Sequence, residues 1–410
     1  MNPANINYLW SEILVEELVR NGVRRFVISP GSRNSPLVLA AANHAEAETT
    51  VHTDERGAAF YAQGYAKSGG KAAALIATSG TAVANFYPAV CEASQSAIPM
   101  ILLTADRPVE LRDTGAPQTM KQVNIYGDYV RWSFDLPCPT TEIKPQFVLT
   151  TVDQAVHRAT RSPAGPVQLN CQFREPLAPQ GSGEDFTNYM RPLDQWEKSD
   201  RPFTEYSVPK LRINPEELEE IIDKIAHSKR GLIVGGPMPA FAKRENIRQI
   251  AARLKMPVLA DVASGLRFGR GVAENVMAHY DYVLREEAFC ENNLPDLVLH
   301  FGGMPTSTPL NRYLKKSSPE YIYVNNTPFR QDPLHQVTRR LEMEPDEFCK
   351  LLADRNVDSA SDLLPDFQKA ERIAAETLGS LLLAEQGCSE LGIVRSIINN
   401  LPENHNLYLA

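Results

Sequence analysis

The chain has 410 residues, 43% hydrophobic and 22% charged, with a formal net charge of −8. That length holds about two or three domains with full cores, and the negative balance removes the electrostatic case for nucleic acid or an anionic membrane as partner. Met1–Trp10 shows neither a basic nor an apolar leader segment, and no run of roughly 18 uncharged apolar residues occurs, so neither a secretory signal nor a membrane-spanning helix is expected. Cys91, Cys138, Cys171, Cys290, Cys349 and Cys388 are scattered without a C-x-x-C pair, and the histidines show no metal-site spacing. Buried free thiols in a reducing cytoplasm and no protein-built metal site are expected.

The first part alternates helix and strand patterns. Leu9, Ile13, Leu14, Leu18 and Val19 form a helical stripe over Tyr8–Arg20. Arg25–Ser29 reads as a strand, Ser35–Asn43 as a helix, Thr49–His52 as a strand and Glu55–Lys67 as a helix closed by Gly69-Gly70. Strands over Ala72–Thr78 and Pro99–Thr104 flank a helix over Ala82–Ser94. Strand-like Tyr129–Leu136, helix-like Phe147–Thr160 and strand-like Pro166–Asn170 complete the unit. This βαβα rhythm predicts a parallel sheet covered on both faces. Gln180–Pro209, with Gly181-Ser182-Gly183 and no apolar period, reads as an interdomain linker. A second α/β unit follows. It has a helix over Pro215–Ala226 capped by Asn214 and a strand over Gly231–Val234. A helix over Arg244–Leu254 and strands over Pro257–Asp261, Leu297–Phe301 and Tyr321–Val324 come next. A polar join near Asp354–Asp366 leads to a long helix ending near Glu385 and another over Glu390–Asn399. His405–Ala410 reads as the opening strand of a third α/β domain, so a truncated piece of a longer chain is expected.

Two segments carry the chemistry. Ser29-Pro30-Gly31-Ser32-Arg33-Asn34-Ser35-Pro36 lies where a strand ends and a helix begins, the place where open α/β sheets bind ligands. Its plain reading is a turn with a helix cap. Arg33, however, adds positive charge to a helix N-terminus, which makes sense when an anion is bound there. Glu55, in His52-Thr-Asp-Glu-Arg-Gly57, follows the next strand. Acidic residues in a first helical turn are usually only dipole partners, but Gly57, Ala58 and Ala59 leave this helix start bare enough for another molecule to approach. Thr78-Ser-Gly-Thr81 is a further strand–turn–helix start. Arg107 brings a second cation to the same sheet edge, and Gln118 sits in a polar loop, Thr114–Gln122, that reads as surface. Gly235-Gly236 and Gly302-Gly303 lack dinucleotide spacing and read as helix-packing positions.

Five segments together resemble the MenD family of 2-succinyl-5-enolpyruvyl-6-hydroxy-3-cyclohexene-1-carboxylate synthases, which depend on thiamine diphosphate. They are Ser29–Pro36, His52–Phe60, Thr78–Asn85, Thr104-Ala-Asp-Arg-Pro108 and Asn170–Pro176. The resemblance implies an α/β parallel-sheet thiamine-diphosphate-enzyme fold. It places a pyrimidine-binding domain at 1–180, a linker at 181–209 and a central α/β domain at 210–355. Connecting helices and the first strand of a truncated pyrophosphate-binding domain would occupy 356–410. It implies decarboxylation of 2-oxoglutarate and addition of the succinyl carbanion equivalent to isochorismate, in menaquinone biosynthesis. Glu55 is implied to be catalytic, through a hydrogen bond to N1′ of the cofactor's aminopyrimidine. Gly80 and Thr81 are implied to contact the cofactor, and Ser32, Arg33, Arg107 and Gln118 the substrates. Mg²⁺ and the diphosphate would be held mainly by the missing domain, so no residue here is a metal ligand and the chain alone is not expected to turn over. A cytoplasmic homodimer or homotetramer is implied. Where many relatives have basic residues this chain has Thr308 and Pro309, with Arg312 nearest. The rival readings are another thiamine-diphosphate carboligase or 2-oxoacid decarboxylase, and a non-catalytic binding module.

Overall fold

The computed structural model describes residues 3–208, 211–267, 274–317, 319–385, 389–403 and 405. The fold is α/β and divides into two units, residues 1–210 with 239–241 and residues 211–238 with 242–410.

In the first unit the order is α1 (Ile6–Arg20), β1 (Arg25–Ile28), α2 (Ser35–Asn43), β2 (Glu48–Val51), α3 (Glu55–Gly69), β3 (Ala73–Ala77), α4 (Thr81–Ala84) and α5 (Tyr87–Gln95). Then come β4 (Met100–Asp106), β5 (Trp132–Leu136), α6 (Gln146–Thr160) and β6 (Pro166–Gln172). All six strands are parallel, in the order β2-β1-β3-β4-β6-β5. Both faces are covered. Leu9, Ile13 and Val152 of α1 and α6 pack with Phe26 and Ile101 on one face, and Ala59, Ala62 and Val90 of α3 and α5 pack with Leu75 and Leu102 on the other. Double coverage explains why β3 and β4 are buried along their whole length and apolar almost throughout instead of alternating. The helix expected over Ala82–Ser94 is two helices. Pro88 sits in the first turn of α5, where its missing N–H costs nothing; inside one continuous helix it would break the ladder.

The expected linker is not an open join. It carries α7 (Thr187–Met190) and α8 (Asp194–Glu197), and Phe186, Leu193 and Trp196 enter the first unit's core. Phe186, Tyr189, Met190, Leu193 and Trp196 recur at helical spacing, a short period that the reading as a polar linker passed over. The segment is clamped by two buried acids. Trp196 Nε1 donates to Glu17 Oε2 at 2.6 Å, Phe203 N donates to Glu17 Oε1, and Thr204 N donates to Asp153 Oδ2 at 2.8 Å. Glu17 and Asp153 are both fully buried. Burial, then the neighbouring Asp153, pushes Glu17 up to about 8.

The second unit holds α9 (Pro215–His227), β7 (Gly231–Gly235), α10 (Glu245–Leu254), β8 (Val258–Ala260), β9 (Val276–Met277), α11 (Tyr280–Val283), α12 (Glu287–Asn292) and β10 (Leu297–Phe301). It continues through α13 (Thr308–Leu314), β11 (Glu320–Asn325), β12 (Arg339–Glu342), α14 (Pro345–Asp354), α15 (Leu364–Ala384) and α16 (Glu390–Asn400). Asn214 caps α9, accepting from Glu216 N at 3.0 Å. The parallel order β12-β11-β10-β7-β8-β9 reverses between β7 and β10. Ligands commonly bind at such a reversal, yet here the two strand-end loops meet each other. Gly236 N donates to Phe301 O at 2.8 Å, Gly303 N donates to Pro237 O at 2.7 Å, and a Cβ on Gly236 would run into the Gly303 carbonyl. The paired glycines therefore serve loop-to-loop contact and not helix packing. The sequence pattern also missed β9 and β12, short edge strands; in β12 only Leu341 is buried. Residues 406–410, most of the expected third-domain strand, lie outside the described residues. Among the described residues no helix is long and apolar enough to cross a membrane.

The acid pair yields a pH prediction. The folded chain holds the Glu17 proton above its unfolded value of 4.5, so stabilisation is complete below about 4.5 and is lost as pH rises through about 8. The three tryptophans, Trp10, Trp132 and Trp196, all lie in the first unit and report its unfolding. Glu17→Gln should remove on the order of 2 kcal/mol of the stability difference between pH 5 and 8. Urea midpoints by tryptophan fluorescence measure this; an unchanged pH slope in the variant refutes it.

Candidate active site

After β1 the chain turns through Ser29–Arg33. Gly31 N donates to Asn34 Oδ1 and Asn34 Nδ2 to Ser29 O, both at 2.9 Å, which closes the turn with a side chain in place of a second strand. A Cβ on Gly31 would lie 2.5 Å from Thr78 Cβ, so only glycine lets this loop rest on the end of β3. The strand order reverses around β1, so this is the crevice where an open sheet takes a ligand. Ser32 is exposed at the tip.

Arg33 is buried, at 6% exposure. Its Nη1 donates to Phe173 O at 2.9 Å, its Nη2 lies 3.7 Å from Glu175 Oε1, and its Nε is buried without a partner. Burial, then the charge of Arg107, holds the guanidinium below the usual arginine value. Glu175 is too exposed and too distant to compensate such a cation, so a bound anion would be stabilised here.

Arg107 follows β4 and ties three segments together. Its Nη1 donates to Ser79 Oγ and, at 3.0 Å, to Gln118 O. Gln118 Nε2 in turn donates to Ser79 O at 3.2 Å. Gln118 is therefore surface, as expected, but folded back onto the site. Gly80, at φ +88°, donates its N–H to Gln122 Oε1 at 2.8 Å, and Thr81 is exposed as the first residue of α4. Among the described residues Arg107 pairs with no carboxylate.

Glu55 is the first residue of α3, after the N-cap Asp54, and is half-buried at the end of β2, the neighbour of β1. Among the described residues its carboxylate makes no hydrogen bond or ion pair, and nothing of that kind links it to the arginines. The small residues beside Glu55 do not open it to a ligand. Gly57 is covered by His52, whose Cε1 lies 2.5 Å from where a Cβ would be, and Ala58 and Ala59 are fully buried between α3 and the sheet. The small residues bring α3 close to its own sheet; they do not clear space for another molecule. In the second unit Thr308 opens α13, Pro309 follows, and Arg312 is exposed.

The residues missed from sequence lie beneath the site. Asp106, Asn170 and Gln122 are buried, and Arg112 and Asp135 partly so. Asn170 Nδ2 donates to Asp106 Oδ2 at 2.9 Å and Asp135 Oδ1 at 2.8 Å, and Gln122 Nε2 donates to Asn170 Oδ1 at 3.0 Å. The available signal was Gln168, Asn170 and Gln172, three polar residues at period two in a strand buried on both faces. Among the described residues no group of His, Cys, Asp or Glu could hold a metal ion.

Comparison with known proteins agrees with both units. Residues 10–125 match the family model "Thiamine pyrophosphate enzyme, N-terminal TPP binding domain", and residues 187–409 match "Middle domain of thiamine pyrophosphate". Three relatives carry the name 2-succinyl-5-enolpyruvyl-6-hydroxy-3-cyclohexene-1-carboxylate synthase. That of Rubrobacter xylanophilus is 43% identical over 98% of this chain and 70% of its own length. That of Salinibacter ruber is 45% identical over 83% of this chain and 58% of its own length. That of Chlorobium phaeobacteroides is 37% identical over all of this chain and 70% of its own length. The chain thus spans about 58–70% of these relatives' length.

The Gly31 contact is testable. Gly31→Ala should destabilise the first unit by about 1–3 kcal/mol through overpacking against Thr78. Gly64→Ala, exposed in α3 with nothing near its Cβ position, should instead stabilise by about 0.5–1 kcal/mol. Paired urea titrations decide this, and equal shifts in the two variants would contradict it.

Proposed function

The chain belongs to the 2-succinyl-5-enolpyruvyl-6-hydroxy-3-cyclohexene-1-carboxylate synthase family of thiamine-diphosphate enzymes, and from that premise we propose that it supplies the cofactor-activating carboxylate and the acid-binding cations of such a synthase. The reaction proposed is decarboxylation of 2-oxoglutarate and addition of its remaining four-carbon unit to isochorismate, a step of menaquinone biosynthesis. One observation carries the reading: two guanidinium groups, Arg33 and Arg107, stand close enough to perturb each other at one sheet edge, with no firm carboxylate partner among the described residues. Both substrates are polycarboxylates, and charge-assisted hydrogen bonds are the strong way to hold them.

Thiamine diphosphate, when bound, supplies the electron sink for cleaving a 2-oxo acid. Glu55 fits that cofactor, because a carboxylate free of protein partners can accept a hydrogen bond from a ring nitrogen, here N1′, and hold the proton there. Gly80 and Thr81 are proposed to border the cofactor, where a glycine backbone permits close approach. Ser32, beside Arg33 on the β1 loop, and Gln118, held on Ser79, are proposed to add neutral hydrogen bonds to the substrates. Mg²⁺ is proposed as the diphosphate's counter-ion, with no residue of this chain assigned to it. The reading includes a cytoplasmic homo-oligomer.

Two measurements test it in the holoenzyme. Glu55→Gln should leave the fold intact and slow deuterium exchange at the cofactor's C2 by about 100-fold or more; exchange at the parental rate removes Glu55 from its role. Arg33→Met and Arg107→Met should each weaken 2-oxoglutarate binding by about tenfold or more. A parent enzyme that prefers pyruvate to 2-oxoglutarate would favour the smaller-substrate carboligase instead.

A further inference from the structure

Asp106, the last residue of β4, is buried directly beside Arg107 and would be its natural counter-ion. It is engaged elsewhere. Its Oδ1 accepts from the Arg107 backbone N–H at 2.8 Å, and its Oδ2 lies 2.9 Å from Arg112 Nη2 and accepts from Asn170 Nδ2. Arg112 also grips Asp135 with both terminal nitrogens, at 2.9 and 3.0 Å, while its Nε donates to the Arg107 carbonyl at 3.2 Å. One guanidinium therefore binds two carboxylates and the backbone of the ligand-facing arginine. Only the forked arginine head can make all these bonds together.

We propose that Arg112 is a positioning residue for acid binding: it withholds Asp106 from Arg107 and fixes the turn from which Arg107 reaches an anionic ligand. This rests on the proposed function only in taking Arg107 as ligand-facing. A carboxylate released beside Arg107 would compete with an acidic ligand for the same donors. The charged and titratable groups facing Asp106 are Arg107 and Arg112 on its own turn, Asp135 on β5, Cys171 on β6 and Arg33 on the β1 loop. Burial already holds Asp106 above the usual carboxylate range, against the pull of Asn170 and Arg112. Competition for Arg107 needs Asp106 charged, so protonating that carboxylate removes the competitor and returns Arg107 to the ligand.

The test uses this chain and inorganic sulfate, a dianion whose charge is constant across the pH range, titrated by calorimetry. Binding is counted as the part that Arg107→Met abolishes. Arg112→Met should bind sulfate about tenfold or more weakly than the parent near pH 8, with the loss shrinking as the pH falls, while the parent changes little. Arg112→Lys keeps a charge without the fork and should show a smaller loss with the same recovery, which keeps the test open if the methionine variant does not fold. An undiminished affinity, a loss that acid does not relieve, or no Arg107-dependent sulfate binding in the parent overturns the proposal. Sulfate binding without 2-oxoglutarate binding would sink the substrate assignment and leave the role of Arg112 standing.

Discussion

Six parallel strands put every strand-to-helix loop of the first unit on one edge, and the site exists because of which loops are neighbours there. The chain crosses from β2 back over β1 to β3, so the loops after β1 and β3 meet, with Gly31 seated on Thr78. The loop after β4 joins them through Arg107, Ser79 and Gln118. The loop after β6 closes the far side, where the Phe173 carbonyl takes the Arg33 guanidinium. No single segment builds the site. Its geometry is a property of strand order.

Electrostatics follow from that geometry. Two cations brought together in a partly buried edge repel each other and lose hydration. The usual remedy, a neighbouring carboxylate, is present in Asp106 but is committed to Arg112 and Asn170. The edge therefore keeps its positive potential. A buried network with each member partnered also fixes orientation more firmly than exposed pairs would. The second unit shows the opposite outcome at its own strand reversal. There the two glycine pairs let backbone meet backbone, and the crevice is filled by the protein itself.

The segment after β6 shows how a polar stretch can still be structural. Trp196 and Phe203 dock on Glu17, and Thr204 on Asp153. Two acids sharing one buried site cannot both be charged cheaply, so the clamp depends on one of them keeping its proton.

Sequence alone determined the elements whose signal is local. Helical stripes such as Leu9–Val19, continuous apolar strands such as Leu297–Phe301, and the cap at Asn214 depend on neighbours a few residues away. It also located the strand-end loops that hold Ser32, Arg33, Glu55, Gly80, Thr81 and Arg107, since a parallel α/β rhythm sends every such loop to one edge. Pro88 was a local signal too, and marked the helix break that the continuous reading passed over; β12 left no such mark, because its edge position requires little burial. Only the tertiary structure decided that Ala58 and Ala59 face their own sheet, that Gly236 and Gly303 touch, and that Arg112 holds the acid next to Arg107. Each of these is a contact between segments far apart in the chain, and residue type at one position carries no record of what folds against it.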